Sequence, residues 1–324
     1  MSGPIVLVYS CFAAEMNMLH GMTDMKGSAI GATDGLIGHV KDFYFDDEMW
    51  VIRYLVVETG EWLSHRQVLI SPFCINKPDW SAKILPAVIT RDQVKGSPSI
   101  DTDKPVSRQH EIAYLGYYGY PLYWGGGGLW GGGLYPASIL PGTEYGGTSS
   151  EYLDARVHSA RADLETEIER HAHDDPHLRS GNATARYHVH ATDGDIGHVK
   201  GLLIDERTWS IRYMIVSTSN WWLGHEVLIA PEWIKEMNWT TSTVTVDLTR
   251  QAVKDSPAYN PATLLQRGEE ADIYRHYGRD GYWSREATHE SARTALQRRR
   301  VAHTDGSSDR ISPPGPRNGD SAGP

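Results

Sequence analysis

The residues whose type and spacing come nearest to a chemical site are His171, His173, His177, His188 and His190. A His-x-His alternation presents two imidazoles on one strand face, and zinc accepts nitrogen donors of that kind. Two observations weaken the metal reading. His171 and His173 fall at the C-terminal end of an expected helix, where the helix dipole favours imidazolium. The only cysteines, Cys11 and Cys74, do not join the group. His171, His173 and His177 therefore stand as weak metal candidates, and no cofactor is expected.

Other pairings have bland explanations. Asp34-Gly35 with Gly38, and Asp193-Gly194 with Gly197, lack the spacing and the following helix of a phosphate-binding loop, so they read as turns. Asp46 with Arg53, and Asp205 with Arg212, are either ion pairs bridging a hairpin or independent solvated charges. Neither alternative is catalytic. His39 and His198 have no nucleophile or carboxylate recurring beside them, which favours a strand-surface role over that of a general base. No catalytic set emerges, and the chain is expected not to be an enzyme. A hydrolase using the histidine-rich segment is the minority alternative.

Most of these residues occur twice. Ala32-Thr33-Asp34-Gly35-Leu36-Ile37-Gly38-His39-Val40-Lys41 returns as Ala191-Thr192-Asp193-Gly194-Asp195-Ile196-Gly197-His198-Val199-Lys200. The offset of 159 residues, from Ala32 to Ala191, still pairs Trp50 with Trp209, Arg53 with Arg212, Trp62 with Trp221, Trp80 with Trp239 and Tyr123-Trp124 with Tyr282-Trp283. A period this long implies a duplicated domain rather than a solenoid unit.

The elements that must position these residues are short. Ser28–Thr33, Ile37–Phe45, Val51–Thr59 and Val68–Ser71 read as strands. Gly201–Ile204, Ile211–Thr218, Val227–Ala230 and Ser242–Leu248 follow in the second copy. In Val51–Thr59 the alternation sets Ile52, Tyr54 and Val56 on one face and Arg53, Leu55 and Val57 on the other. Thr90 and Thr249 are N-caps for short helices at Arg91–Lys95 and Arg250–Lys254. Closely spaced short strands indicate small closed barrels. Between the copies, Tyr114–Pro136 is nearly all Gly, Tyr, Trp and Leu. Its Gly125–Gly133 run is expected to be mobile, open to cleavage near Leu129 or Trp130, and part of neither core. Leu153, Val157, Ala160, Leu164 and Ile168 share one face of an expected helix over 151–171.

The chain of 324 residues carries 31 basic and 41 acidic side chains, a net charge of −10. That balance disfavours binding to phosphate backbones. No stretch has the ~20 apolar residues that a membrane helix needs. Ile5–Ala14 is the most apolar run, but no Lys or Arg precedes Lys26, so it is a poor signal peptide. It reads as a disordered leader, or translation starts at Met16, Met18, Met22 or Met25, with the later start preferred.

The pattern Ala-Thr-Asp-Gly-x-Ile-Gly-His-Val-Lys, followed by Asp46, Trp50, Ile52-Arg53-Tyr54-Leu55-Val56-Val57 and Val68-Leu69-Ile70-Ser71-Pro72, resembles the PRC-barrel family. Members share a six-stranded barrel, found in the cytoplasmic domain of the H subunit of photosynthetic reaction centres and in a ribosome maturation factor. The resemblance covers roughly Met25–Asp101 and Thr184–Asn260. It implies an all-β bacterial protein with two tandem barrels, and it brings no catalytic residues.

The expected layout is a leader at 1–24, a first barrel at 25–101 and a Gly/Tyr-rich linker with one helix at 102–183. A second barrel at 184–260, an aromatic extension at 261–285 and a disordered tail at 286–324 complete it. Asp34, Gly35, Gly38, Arg53, Asp193, Gly194, Gly197 and Arg212 are structural positions of the repeat. Tyr117, Tyr118, Trp221 and Trp222 are candidates for an interaction surface, since exposed Tyr and Trp favour protein contacts. The expected function is a non-catalytic interaction or adaptor module with a protein partner, tethered so as to raise avidity, or else packed as a pseudo-dimer. The alternative is an accessory or assembly factor of a membrane electron-transport complex. Nucleic acid enters only through an indirect ribosomal role. A cytoplasmic location is expected, with peripheral membrane contact left open.

Overall fold

A computed structural model describes residues 18–98, 106, 108–124, 128–131, 133–136, 178–218 and 225–286. The chain separates into two compact units, one up to Arg267 and one from Gly268 onward.

In the first unit β1 (Leu19–Gly21) and the one-turn helix α1 (Met22–Met25) lead into β2 (Ala29–Ala32), β3 (Gly35–Asp46) and β4 (Val51–Thr59). Then come β5 (Gln67–Ile70), β6 (Ile84–Pro86), α2 (Arg91–Gly96) and α3 (Arg108–Tyr118). The chain resumes at β7 (Leu178–Ser180), α4 (Gly181–Thr184), β8 (His188–Ala191), β9 (Gly194–Asp205) and β10 (Ile211–Ser217). It continues through β11 (Glu226–Ile229), β12 (Ile234–Asn238), β13 (Thr243–Val246) and α5 (Arg250–Lys254). The described residues are all-β in character, with two sheets and a few short helices.

The strand orders agree. One sheet runs β5-β4-β3-β2-β6 and the other β11-β10-β9-β8-β13-β12. Where the second sheet has β12 pairing β13, the first has the isolated bridges Ile75–Ala87 and Asp79–Ile84. Gly35 and Gly194 open the long strands after their Asp-Gly turns, at φ of 142° and 137°, values open to glycine alone among ordinary residues. Farther along, Gly38 and Gly197 lie against the neighbouring strand. A Cβ on Gly38 would sit 2.0 Å from Glu58 O, and one on Gly197 1.9 Å from Ser217 O.

Each turn Asp also holds a helix. The Asp34 carboxylate accepts from Arg91 N at 2.9 Å, and Asp193 accepts from Arg250 N at 2.7 Å. Thr90 and Thr249 cap the same two helices, Thr90 within a full capping box with Gln93.

Strand β4 departs from the two-faced alternation. Every residue from Val51 to Val57 is buried, Arg53 included. The covering material comes from the segment expected to be an aromatic, Gly-rich linker. In α3 Ile112, Tyr114 and Leu115 are buried. The Tyr114 hydroxyl donates to Leu69 O at 3.0 Å and accepts from Ser71 N, while its ring meets Tyr54 edge-on at 5.0 Å. The helix stops at Gly119, whose φ of 69° forms a left-handed cap.

In the unit from Gly268 onward the main element is the helix α6, Arg267–His276. The Tyr282 hydroxyl donates to Glu270 at 3.0 Å, and Tyr274, Tyr282 and Trp283 pack edge to face. Residues 159 earlier repeat the motif: the Tyr123 hydroxyl donates to the buried carboxylate of Glu111.

Candidate functional site

The site with the most chemistry concentrated in it is the junction of the two sheets. It is built from one carboxylate in each. Asp46, at the end of β3, accepts from Glu48 N at 3.0 Å and Met49 N at 3.2 Å on one oxygen, and from Arg53 at 3.0 Å on the other. Asp205, ending β9, accepts from Arg207 N at 2.9 Å and Thr208 N at 3.3 Å, and from Arg212 at 2.7 Å and 3.1 Å. Each carboxylate thus folds its own turn and pins an arginine from the next strand. All four side chains are buried, so these are paired charges rather than solvated ones. Burial acts to raise the Asp46 pKa, but the Arg53 charge and the hydrogen bonds prevail and hold it below the usual carboxylate range.

The folded turns carry Trp50 and Trp209 into the left-handed region, at φ of 55° and 59°. That conformation costs a non-glycine residue about 1–2 kcal/mol. It aims each carbonyl at the other sheet. Trp209 O accepts from Ile52 N at 2.8 Å, and Trp50 O accepts from Ile211 N at 2.7 Å. Between these bonds Val51 bridges Ser210. Those two are 159 residues apart, so the junction places equivalent residues face to face, as at a two-fold axis.

The leading strands complete the junction by crossing it. β1 pairs with β9, with Leu19 opposite Asp205 and Gly21 opposite Leu203. β7 pairs with β3, with Leu178 opposite Asp46 and Ser180 opposite Tyr44. The two exchanges share one register. Asp42 receives the incoming segment through Ser180 Oγ at 2.5 Å and Asn182 N at 2.9 Å, and burial raises its pKa despite these bonds.

The glycine-rich segment closes over this junction. Trp130 is fully buried and donates from Nε1 to Thr208 O at 2.8 Å. Arg53 donates to Leu129 O at 2.5 Å and lies over the Tyr123 ring at 3.9 Å and the Trp130 ring at 4.9 Å. Several expectations need correction. The expectation that Gly125–Gly133 contributes to neither core fails at Trp130, which is buried between the sheets. The leader does not extend to Asp24, since Leu19–Met25 forms β1 and α1 with Leu19, Met22 and Met25 buried. The linker does not extend to residue 183, since Leu178–Thr184 forms β7 and α4.

Elsewhere the candidates scatter. Tyr117 is exposed and donates to Gln93 O at 2.9 Å, while half-buried Tyr118 stacks on Tyr120 at 5.3 Å. His171, His173, His177, Trp221, Trp222, the expected helix over 151–171 and the tail from residue 287 lie outside the described residues. His188, His190 and His198 stand on one outer face, where His190 meets Asp195 at 2.5 Å. The equivalent face of the first sheet carries Ala29, Gly31, Leu36 and His39 instead, with Leu36 48% exposed beside Ile84 at 41%. Among the described residues, no three or more His, Cys, Asp or Glu side chains are grouped to hold a metal ion. Cys74 is buried, and burial pushes its thiol up to about 12, far from a reactive thiolate. A recess beside Thr218, His225 and Lys254 has a volume of about 100 Å³, below the ~300 Å³ of a small-molecule site. No helix among the described residues is long and apolar enough to cross a membrane.

No protein-family model matches the chain, and no curated protein matches it in sequence.

The sequence signal for the crossing strands was present in Leu19 and Leu178, identical at the same offset, but it lies ahead of the strong motif. Glu111 and Glu270 are likewise identical at that offset. Trp130 carried no such signal.

Proposed function

We propose that the chain is a non-catalytic interaction or adaptor module, in which two PRC-type barrels act as one pseudo-dimeric body. The observation that carries this reading is the reciprocal crossing of β1 and β7, centred on the Val51–Ser210 bridge. Crossing strands and a buried Trp130 fix the distance and angle between two like surfaces. Such a body suits a partner that is itself two-fold or repeated, because both contacts form without the entropy cost of positioning a loose tether. Avidity then comes from rigid spacing rather than from linker reach. The all-β character of the two sheets supports the resemblance to the PRC-barrel family.

The test is capture of partners by the full-length tagged chain from its native host, followed by mass measurement of the intact complex. One chain with two partner copies, or with one partner dimer, is expected. A one-to-one complex with a monomeric partner would remove the pseudo-dimeric adaptor. Recovery only in a washed membrane fraction would favour the accessory role at an electron-transport complex.

A further inference from the structure

The outward faces of the two sheets share one register and differ in what fills it. Across β2 and β3 that face carries Ala29, Gly31, Leu36 and His39. Across β8 and β9 the positions 159 residues later are His188, His190, Asp195 and His198. Val189, Ile196 and Val199 point the other way and are buried, so the three imidazoles stand on the side away from the core.

His188 lies directly opposite His198 in the β8–β9 ladder. The pair is of the kind that exchanges no main-chain hydrogen bond. His188 N turns away from β9 and donates to Ser242 O at 3.0 Å, and the bond between the strands forms one residue along, from Val199 N to Tyr187 O at 2.9 Å. Side chains of such a pair stand closest, with Cβ atoms about 4.5–5.5 Å apart. That spacing lets two imidazole nitrogens reach one ion at the ~2.0–2.1 Å of a metal–nitrogen bond. His190 is less well placed to pair with His188. It is two residues along the same strand, about 6–7 Å away by strand rise, and its Nδ1 is engaged by Asp195 Oδ1 at 2.5 Å. No described residue engages the ring of His188 or His198 in a hydrogen bond or ion pair. Lys200, the cation next along β9, is paired with Glu226, so its charge does not oppose an incoming ion.

We propose that His188 and His198 form a two-point chelate for a divalent ion of the zinc, nickel and copper group, with its remaining positions open to water. Imidazole suits these ions, whereas magnesium and calcium require oxygen donors. A chelate of two side chains is consistent with the lack of any group of three or more ligating side chains among the described residues. In the first sheet His39 stands opposite Ala29, so that half has no matching pair. The ion would clip β8 to β9 on the surface of one half only. This site does not depend on the adaptor reading.

The test is nuclear magnetic resonance of the full-length chain at about pH 7.5, where imidazole is mostly neutral and free to ligate. Copper(II) should broaden the amide signals of residues 187–199 and leave those of residues 28–40 sharp. Excess zinc(II) should restore the broadened signals, and excess magnesium should not. His188→Gln and His198→Gln should each weaken binding read at these signals about 100-fold, because the second nitrogen no longer acts at high effective concentration. His190→Gln and His39→Gln should leave it unchanged. The proposal is overturned if signals near residues 188 and 198 stay sharp in a few-fold excess of copper(II), if both faces broaden alike, or if His190→Gln weakens binding as much as His188→Gln.

Discussion

Replacing Trp130 by Ala tests whether the glycine-rich segment locks the junction. The side chain is fully buried. A buried aromatic of this size hides up to ~250 Å², so at ~25 cal/mol per Å² its removal forfeits a gross ~6 kcal/mol. Part of that surface stays buried in the unfolded chain and part of the hole collapses, which brings the expected cost to about 3–5 kcal/mol. Urea denaturation followed by circular dichroism should show the unfolding free energy fall by that amount, as a lower midpoint at unchanged slope. Trp130→Phe separates packing from hydrogen bonding. It retains a ring against Phe73, now 4.9 Å from Trp130, but leaves Thr208 O without the indole donor, at a cost of about 1–2 kcal/mol. Limited proteolysis adds a local readout. The wild-type chain should resist cleavage at Leu129–Trp130 under conditions that cut Trp130→Ala. A loss below ~1 kcal/mol, together with equal cleavage of both proteins, would refute the packed junction and return the segment to a loose tether.

Gly38→Val should cost more than ~2 kcal/mol by chemical denaturation, because its Cβ would fall 2.0 Å from Glu58 O and 2.9 Å from Thr59 Cα, both backbone atoms; an unchanged midpoint contradicts this. Asp46→Asn should cost about 3 kcal/mol at pH 7, leaving Arg53 buried without its counter-charge. The folded pKa of Asp46 is lowered, so its contribution is complete above the unfolded carboxylate value of about 3.9 and is lost as pH falls through the folded one. The stability gap between wild type and variant should therefore close below about pH 4, and a gap constant from pH 7 to pH 2.5 would count against the pair. Gly181→Ala places a Cβ 2.4 Å from Met22 Sδ and should destabilise by about 1–3 kcal/mol. Adding Met22→Ala to that variant should cost less than the sum of the two single changes, and strict additivity would show that the two positions do not touch.

The all-β class, the main strands and the repeated turns were legible because they rest on local rules. Asp-Gly turns, β-branched runs and Thr N-caps act over a few residues, and two copies at one offset reinforced every such reading. What local rules could not show was the partner of each surface. Arg53 reads equally as a partner of Asp46 or as a solvated charge until Tyr123, Leu129 and Trp130 are laid over it. The Gly125–Gly133 run was judged by the entropy of its glycines, which is large. That argument fails at Trp130, where one side chain finds a buried site formed by two sheets at once. Asp34 read correctly as a turn residue, but its bond to Arg91 N spans 57 residues of sequence, beyond the reach of a motif.

The offset itself held more information than fold class. In a homodimer the residues on the two-fold axis meet their own copies, so each must suit itself. Here Val51 meets Ser210, and Met22 meets Gly181, positions related by the same 159 residues. Two methionines could not occupy the second of these contacts, since even a Cβ at 181 intrudes on Met22. Within one chain the two halves are free to differ, and they do so where symmetry would cost most: a large residue beside none at α1 and α4. The same freedom separates His20 on β1 from Arg179 on β7, and the apolar Leu36 face from the face of His188, His190 and Asp195. The buried axis and the outer faces diverge here, while the Asp46–Arg53 and Asp205–Arg212 pairs stay the same. The junction is thus the common architecture of the two halves.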